Sequence, residues 1–325
     1  MHPSKAPGSD GMSSFFFQKF WNIVGYDVTS AILFVLNLGF LLRKMNYTHI
    51  VLVPKKNDPN SLGDFWPISL GNVISLLLSK VMVNRLKLIL PRVISNAQSA
   101  FIPDRIIITD NTTVAFKLLH RMRNRRRGKD GQMAVKLDIS KAYDCVEWQF
   151  LWKMMIQLGF DERWVALTME TVHLASYSVL INVEPKGLIK PTRGIKQGDL
   201  LSPYLFLLCA EGLLAMLRRA EEQRQIQGIL SCIRVSHLLF VDDCLLFYQA
   251  KVEECRNLLN LLHNYEVVIG QAINKGKTTL FFSKNTRVTI KQTIQSMLGA
   301  QVFWDCEQYL GLPMIAGKSK TSTFK

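Results

Sequence analysis

The sequence predicts a mixed fold, α/β or α+β, in which helices cover one face of a sheet. Short β-rich runs alternate along the chain with longer segments whose apolar residues recur at helical spacing. At 325 residues, 48% hydrophobic and 20% charged, the chain is long and apolar enough for two or three packed subdomains. Its two strongest apolar runs, Ala31–Leu42 and Leu200–Leu217, read as buried helices. The first is too short to span a bilayer, and Pro203 and Glu211 interrupt the second.

The elements follow in order. Residues 1–12 form a Pro/Gly-rich lead-in, and 13–45 carry helical spacing in two pieces broken near Gly25-Tyr26-Asp27. A strand over His49–Pro54 stops at its proline and at the basic turn Lys55–Pro59. Helices are expected over Ile74–Leu90, ended by Pro91, and over Thr109–Met122. Arg121–Lys129, with five arginines and one lysine, reads as a solvated hairpin tip. Met133–Asp138 is a strand ending in an acid, and Trp148–Leu158 an amphipathic helix stopping at Gly159. Tyr177–Asn182 is a strand and Pro203–Arg219 a largely buried helix. Ser236–Phe247 reads as two strands around a tight acidic tip, followed by a helix over Val252–Val268 and a strand over Thr278–Phe282.

Charge narrows the partner. Lys plus Arg number 40 against 25 Asp plus Glu, a net +15 with a pI near 9.6, which favours a polyanion such as nucleic acid. The six cysteines (Cys145, Cys209, Cys232, Cys244, Cys255 and Cys306) form no CxxC pair. That spacing argues against a zinc knuckle or disulfide framework and suits a reducing compartment. The N-terminus has no apolar core of a secretory signal, so an intracellular protein, nuclear or cytoplasmic, is expected.

The chemistry lies in Val135-Lys-Leu-Asp138 and in Leu238-Leu-Phe-Val-Asp242-Asp243-Cys-Leu-Leu-Phe. In both, aspartate follows an apolar strand, where burial is costly unless the charge is matched. A tight hairpin presents Asp242 and Asp243 at its tip, and carboxylates converging there repel one another without a cation. Mg²⁺ suits the need, because it takes hard oxygen ligands from one or two carboxylates plus substrate phosphates. A pair of such ions supports in-line phosphoryl displacement.

The ordered motifs resemble the reverse transcriptase of plant-type non-LTR (LINE-type) retrotransposons over nearly the whole chain. Lys5-Ala-Pro-Gly-Ser-Asp-Gly11 is similar to that family's opening. Val53-Pro-Lys55, Asp64-Phe-Trp-Pro-Ile-Ser-Leu70 and Gln98-Ser-Ala-Phe101 with Arg105 follow. Next come Leu137-Asp-Ile-Ser-Lys-Ala-Tyr-Asp144, Arg193-Gly-Ile-Lys-Gln-Gly-Asp199 with Leu201-Ser-Pro-Tyr204, and Phe240-Val-Asp-Asp243. Gly270-Gln-Ala-Ile-Asn274 with Lys277, and Tyr309-Leu-Gly-Leu-Pro313, close the series.

The resemblance implies an α+β right-hand polymerase: a palm with a small antiparallel sheet backed by helices, helical fingers and a truncated thumb. Residues 1–130 would be fingers and lead-in, 131–285 palm with interleaved fingers segments, and 286–325 the palm end and thumb start. It implies RNA-directed DNA synthesis with an RNA template, a DNA primer and dNTPs, with no membrane, using two Mg²⁺ ions or Mn²⁺ in their place. Asp138, Asp242 and Asp243 would be the catalytic metal ligands, aided by the Ile139 carbonyl. Tyr143 would lie under the nucleotide sugar and reject a ribose 2′-hydroxyl. Gln197 and Gly198 would line the nucleotide site, Lys55 would meet the triphosphate and Lys277 the leaving pyrophosphate. Arg105 and Arg193 would contact the template backbone, and Leu310 and Gly311 would grip the primer end.

The chain also departs from the family pattern. Trp66 stands where an arginine usually clamps the triphosphate, Asp104 where glycine is customary, and Lys117 where glutamate is usual. Ser75-Leu76-Leu77 lacks a Tyr-Lys pair, and the segment between Gly228 and Ser236 is shortened. These departures are expected in a fragment of a decaying element, with the metal acids intact and the nucleotide grip damaged. The alternative is a decayed module that holds RNA without synthesis; a nucleotide cyclase built on paired acids would have no use for Tyr143 or Gln197-Gly198.

Overall fold

The structure is a computed structural model that describes residues 2–98, 100–102, 105, 108–230, 234–241, 243–303, 308–309 and 312–313. The chain begins with helices α1 (Ser14–Lys19) and α2 (Trp21–Leu38), then strands β1 (Tyr47–Pro54) and β2 (Phe65–Gly71). Helices α3 (Val73–Val93) and α4 (Ile108–Asn124) lead to strands β3 (Gln132–Leu137) and β4 (Ile139–Ser140). Helices α5 (Trp148–Gln157) and α6 (Glu162–His173), strands β5 (Ser176–Ile181) and β6 (Glu184–Ile189), and helix α7 (Ser202–Glu222) follow. Strands β7 (Ile229–Leu230), β8 (Arg234–Val235), β9 (His237–Phe240) and β10 (Asp243–Gln249) precede helix α8 (Val252–Ile269). The described chain closes with β11 (Ala272–Ile273), β12 (Thr279–Phe282), α9 (Val288–Leu298), β13 (Gln301–Val302), β14 (Gln308–Tyr309) and β15 (Leu312–Pro313).

These elements form two compact units, each discontinuous in sequence. The first holds Met1–Ile89 and Tyr143–Leu208, the second Leu90–Ala142 and Cys209–Lys325. The first unit carries a four-stranded sheet of order β2-β1-β5-β6. β1 pairs antiparallel with β2 and parallel with β5. β5 forms a hairpin with β6. In α2, Ile23, Tyr26, Leu33, Phe34 and Leu38 face outward and are exposed. Among the described residues α2 is the one helix long and apolar enough to cross a membrane.

The second unit is built on a five-stranded sheet of order β13-β12-β3-β10-β9. β3 lies at its centre, and Met133, Ala134, Val135 and Leu137 are almost wholly buried. A near-continuous apolar run is what a strand covered on both faces requires. Side-chain alternation then sorts β10. Leu245 and Phe247 join Ala115, Leu118, Leu119 and Met122 of α4 in one core cluster. Cys244, on the other face, lies near Tyr265 of α8, which also feels Cys209 of α7.

Three sequence expectations need correction. The N-terminal helices break at Phe20, while Gly25 lies inside α2. A Cβ at Gly25 would approach the Trp21 ring to 2.9 Å, so this glycine makes room for the indole rather than ending the helix. α3 continues through Pro91 to Val93; in a last turn, proline forfeits one backbone bond and leaves the rest. Arg121–Lys129 is the end of α4 and its link to β3, not a hairpin tip. Asn285 ties that link down through the carbonyls of Gly128 and Asp130.

Candidate active site

In the second unit, β3 and β10 bring two acids together. Their antiparallel register pairs Cys244 with Leu137. Continued by one residue, it sets Asp243, the first residue of β10, across from Asp138. Opposed residues of antiparallel strands have Cα atoms roughly 4.5–5.5 Å apart and side chains on one face. Asp138 and Asp243 are both half-buried. Burial, reinforced by the Asp243 carboxylate, pushes the Cys244 thiol up to about 12. This hydrophobic sheet end would accept a divalent ion, since it offers hard carboxylate oxygens. Asp242 lies outside the described residues, and among the described residues no three acids, histidines or cysteines form a metal-binding group.

The Asp138 strand is held from a second side. Ile139, half-buried on β4, pairs with Ile273 on β11, and the Asp138 carbonyl accepts the Asn274 N–H at 2.8 Å. Asn274 also starts the turn that carries Lys277. Its carbonyl accepts the Lys277 N–H at 3.1 Å and its Oδ1 does so at 3.2 Å. Lys277 is thus exposed on a turn anchored to the acid-bearing strand. The Asn274 role has no local sequence signal, because its partner lies far back in the chain. Arg105, also in this unit, donates to the carbonyl oxygens of Ser95, Gln98, Pro91 and Ile94. Leu310 and Gly311 lie outside the described residues.

The first unit joins two further turns. Ile195 N–H donates to the Tyr143 carbonyl at 2.9 Å, and Gly194 N–H to Val146 at 2.7 Å. Gln197 donates to Asp144 Oδ1 at 3.1 Å. The segment with Gln197 and Gly198 therefore lies against the turn that begins with Tyr143. The Tyr143 ring stacks on Phe206, centroids 5.2 Å apart and planes 16° apart. Gly198 itself is exposed beside β2. Arg193, Asp144, Tyr177, Ser69 and Pro67 line an open cleft of about 190 Å³ at these turns. Arg193 pairs with Glu147 at 3.5 Å, an exposed contact of small energetic value.

Below the Gln197 turn lies a polar network that composition did not reveal. The fully buried Lys196 ammonium donates to Asn46 Oδ1 at 2.8 Å, and Asn46 donates to the Thr171 carbonyl at 2.6 Å. Burial holds Lys196 below the ordinary lysine range, opposed by the Asp199 charge. Asp199 accepts from Ser79 at 3.0 Å and from Leu201 N–H at 2.7 Å. Burial, then Asp199 and Asp144, keeps the Tyr177 phenol protonated well above its usual range. Lys55 is exposed just past β1, where its ammonium donates to Gly63 at 2.8 Å. Trp66, opposite Val53 on β2, is 54% exposed.

A five-stranded sheet, antiparallel except for its β12–β13 pair and carrying acids at the adjacent ends of β3 and β10, is the arrangement expected of a right-hand nucleic-acid polymerase palm. Residues 53–312 match the reverse transcriptase (RNA-dependent DNA polymerase) family, and the chain belongs to it. The transposon TX1 uncharacterized 149 kDa protein of Xenopus laevis is 29% identical over 79% of this chain and 20% of its own length. A retrovirus-related Pol polyprotein from a type-2 retrotransposable element of Drosophila melanogaster is 25% identical over 99% of this chain and 28% of its own. The chain spans about a fifth to somewhat over a quarter of the length of these retrotransposon relatives. A telomerase from Candida tropicalis, solved in complex with a fragment of telomeric RNA, shares the fold. Its TM-score is 0.53 at 11% identity, covering 82% of this chain and 45% of that one.

Proposed function

We propose that the chain is the RNA-directed DNA polymerase core of a non-LTR retrotransposon protein, extending a primer 3′-hydroxyl with dNTPs on an RNA template. The observation that carries this proposal is the β3–β10 register, which ends at Leu137 and Cys244 and leaves Asp138 and Asp243 as the neighbouring residues at that sheet end. These carboxylates, with Asp242, would hold two Mg²⁺ ions. When bound, such ions stabilise charge on the attacking and leaving oxygens of the phosphoryl group. The five-stranded sheet of the second unit is the palm in this proposal; in the first unit the Tyr143 and Gln197 turns form a surface suited to a nucleotide.

The protein's own side chains bind and sort the nucleotide. Stacking on Phe206 stiffens the Tyr143 ring, so it cannot swing aside for a ribose 2′-hydroxyl. Asp144 holds the Gln197 amide, fixing its direction toward a bound nucleotide. Lys55 and Lys277 supply mobile point charges for triphosphate and pyrophosphate. Trp66 lacks the fork of donors that would grip phosphate in two places. Its exposed indole favours a second reading, in which the domain holds RNA and no longer copies it.

Primer extension on poly(rA)/oligo(dT) separates the two. Synthesis is expected with Mg²⁺ or Mn²⁺, to fall at least about a thousandfold in Asp243→Asn, and to rise in Trp66→Arg through a lower KM for dTTP. RNA binding without extension, persisting in Trp66→Arg, would instead select the holding module.

A further inference from the structure

We propose that Gln98 is a positioning residue that sets the conformation of the acidic hairpin tip, and that Arg105 braces it from behind. The proposal rests on the polymerase reading of the hairpin acids and adds the device that aims them. Gln98 is fully buried, in the loop after α3. Its Oε1 accepts the N–H groups of Val241 at 3.3 Å and Ala100 at 3.2 Å. Its Nε2 donates to the Val241 carbonyl at 3.5 Å. The two donors facing Oε1 fix the amide orientation, since a flipped amide would set NH₂ against both.

Val241 needs such a clamp. Its φ of +56° lies in the left-handed region, which β-branched residues rarely enter. Val241 lies two residues before Asp243, so its backbone angles set the direction in which the chain enters β10. Gln98 holds both the N–H and the C=O of this one strained residue. The backbone repeats the attachment: Leu239 N–H donates to Ala97 at 3.3 Å, and the Asn111 amide donates to the Leu239 carbonyl at 3.3 Å. The loop thereby covers the open edge of β9.

The loop itself is immobilised. The Arg105 guanidinium donates to Pro91 at 2.9 Å, Ile94 at 2.5 Å, Ser95 at 2.5 Å and Gln98 at 3.1 Å, all through carbonyl oxygens. Glu211 of α7 takes the Ser95 N–H at 2.9 Å. A guanidinium directed at four carbonyls of its own chain braces the loop from within.

The test compares wild type, Gln98→Ala, Gln98→Asn and Gln98→Ala/Val241→Gly in the full chain. Hydrogen exchange of peptides covering 238–246 is followed beside those of α8, together with Mn²⁺ affinity. With Gln98→Ala, hairpin exchange should quicken and Mn²⁺ affinity fall, each by about tenfold, while α8 is unchanged. Glycine enters positive φ freely, so Val241→Gly should recover most of the lost Mn²⁺ affinity. Unchanged hairpin exchange in Gln98→Ala, or no recovery with glycine, would overturn the proposal. Loss of protection throughout the chain in both single variants would overturn it too, by making Gln98 a general stabiliser. If wild type neither binds Mn²⁺ nor makes DNA, the polymerase reading fails, while the exchange comparison still decides the role of Gln98.

Discussion

Gly194 has a φ of +88°, and a Cβ there would lie 2.6 Å from the Asp144 carbonyl oxygen. Both the angle and the close approach demand glycine, because the backbone leaves no room to shift. Gly194→Ala should therefore cost roughly 1–3 kcal/mol, seen as a lowered midpoint in urea, and should raise the KM for dNTP. Tyr143 was singled out only by the resemblance to reverse transcriptases; the structure adds that its ring stacks on Phe206. Lys196 was not legible in the sequence. Its local context reads as an exposed basic turn, yet its ammonium is buried against Asn46, 150 positions earlier. Nothing within a short window announces such a partner. Trp66 shows the reverse case, a departure visible in sequence that the structure places, exposed, on β2.

At the scale of elements, the β9–β10 hairpin was the most readable feature, because acids flanked by apolar runs on both sides leave few alternatives. The β5–β6 hairpin was half readable. β6 is exposed along its whole length and has the composition of a loop. It is a strand because β5 pairs with it, after β5 itself aligns parallel with the distant β1. Within the acidic hairpin, burial and the Arg218 charge lower His237 of β9 to about 4, from 6.5. His237 is therefore neutral when folded, whereas the unfolded chain protonates it below pH 6.5. The unfolded state takes up the extra proton between those values, so stability falls as pH drops through that window and is unaffected above it. Between pH 7 and 5, wild type should lose roughly 2 kcal/mol more than His237→Gln, measured by denaturant titration.

For the whole molecule, sequence reading reached the class but not the division into units. The chain passes between units inside α3 and α7 and after Ala142, so no linker composition marks the boundaries. Continuous helices hide them. Net charge, by contrast, is fully legible, and +15 favours a polyanionic partner, which the proposed function takes to be RNA. Single-stranded RNA should bind with a log–log salt slope of about −3, for roughly four neutralised phosphates, losing about 50-fold between 50 and 200 mM salt. A flat response would remove nucleic acid as the reason for the charge.

The central claim is that Asp138 and Asp243, brought from distant parts of the chain by the β3–β10 register, act as one metal site. Calorimetric Mn²⁺ binding in the presence of dTTP tests it in wild type, Asp138→Asn, Asp243→Asn and the double variant. We predict that each single change weakens binding by at least about tenfold and that the double change adds little, since either loss already breaks a shared site. Independent, additive losses, or singles that bind as wild type does, would contradict a common ion and with it the polymerase chemistry.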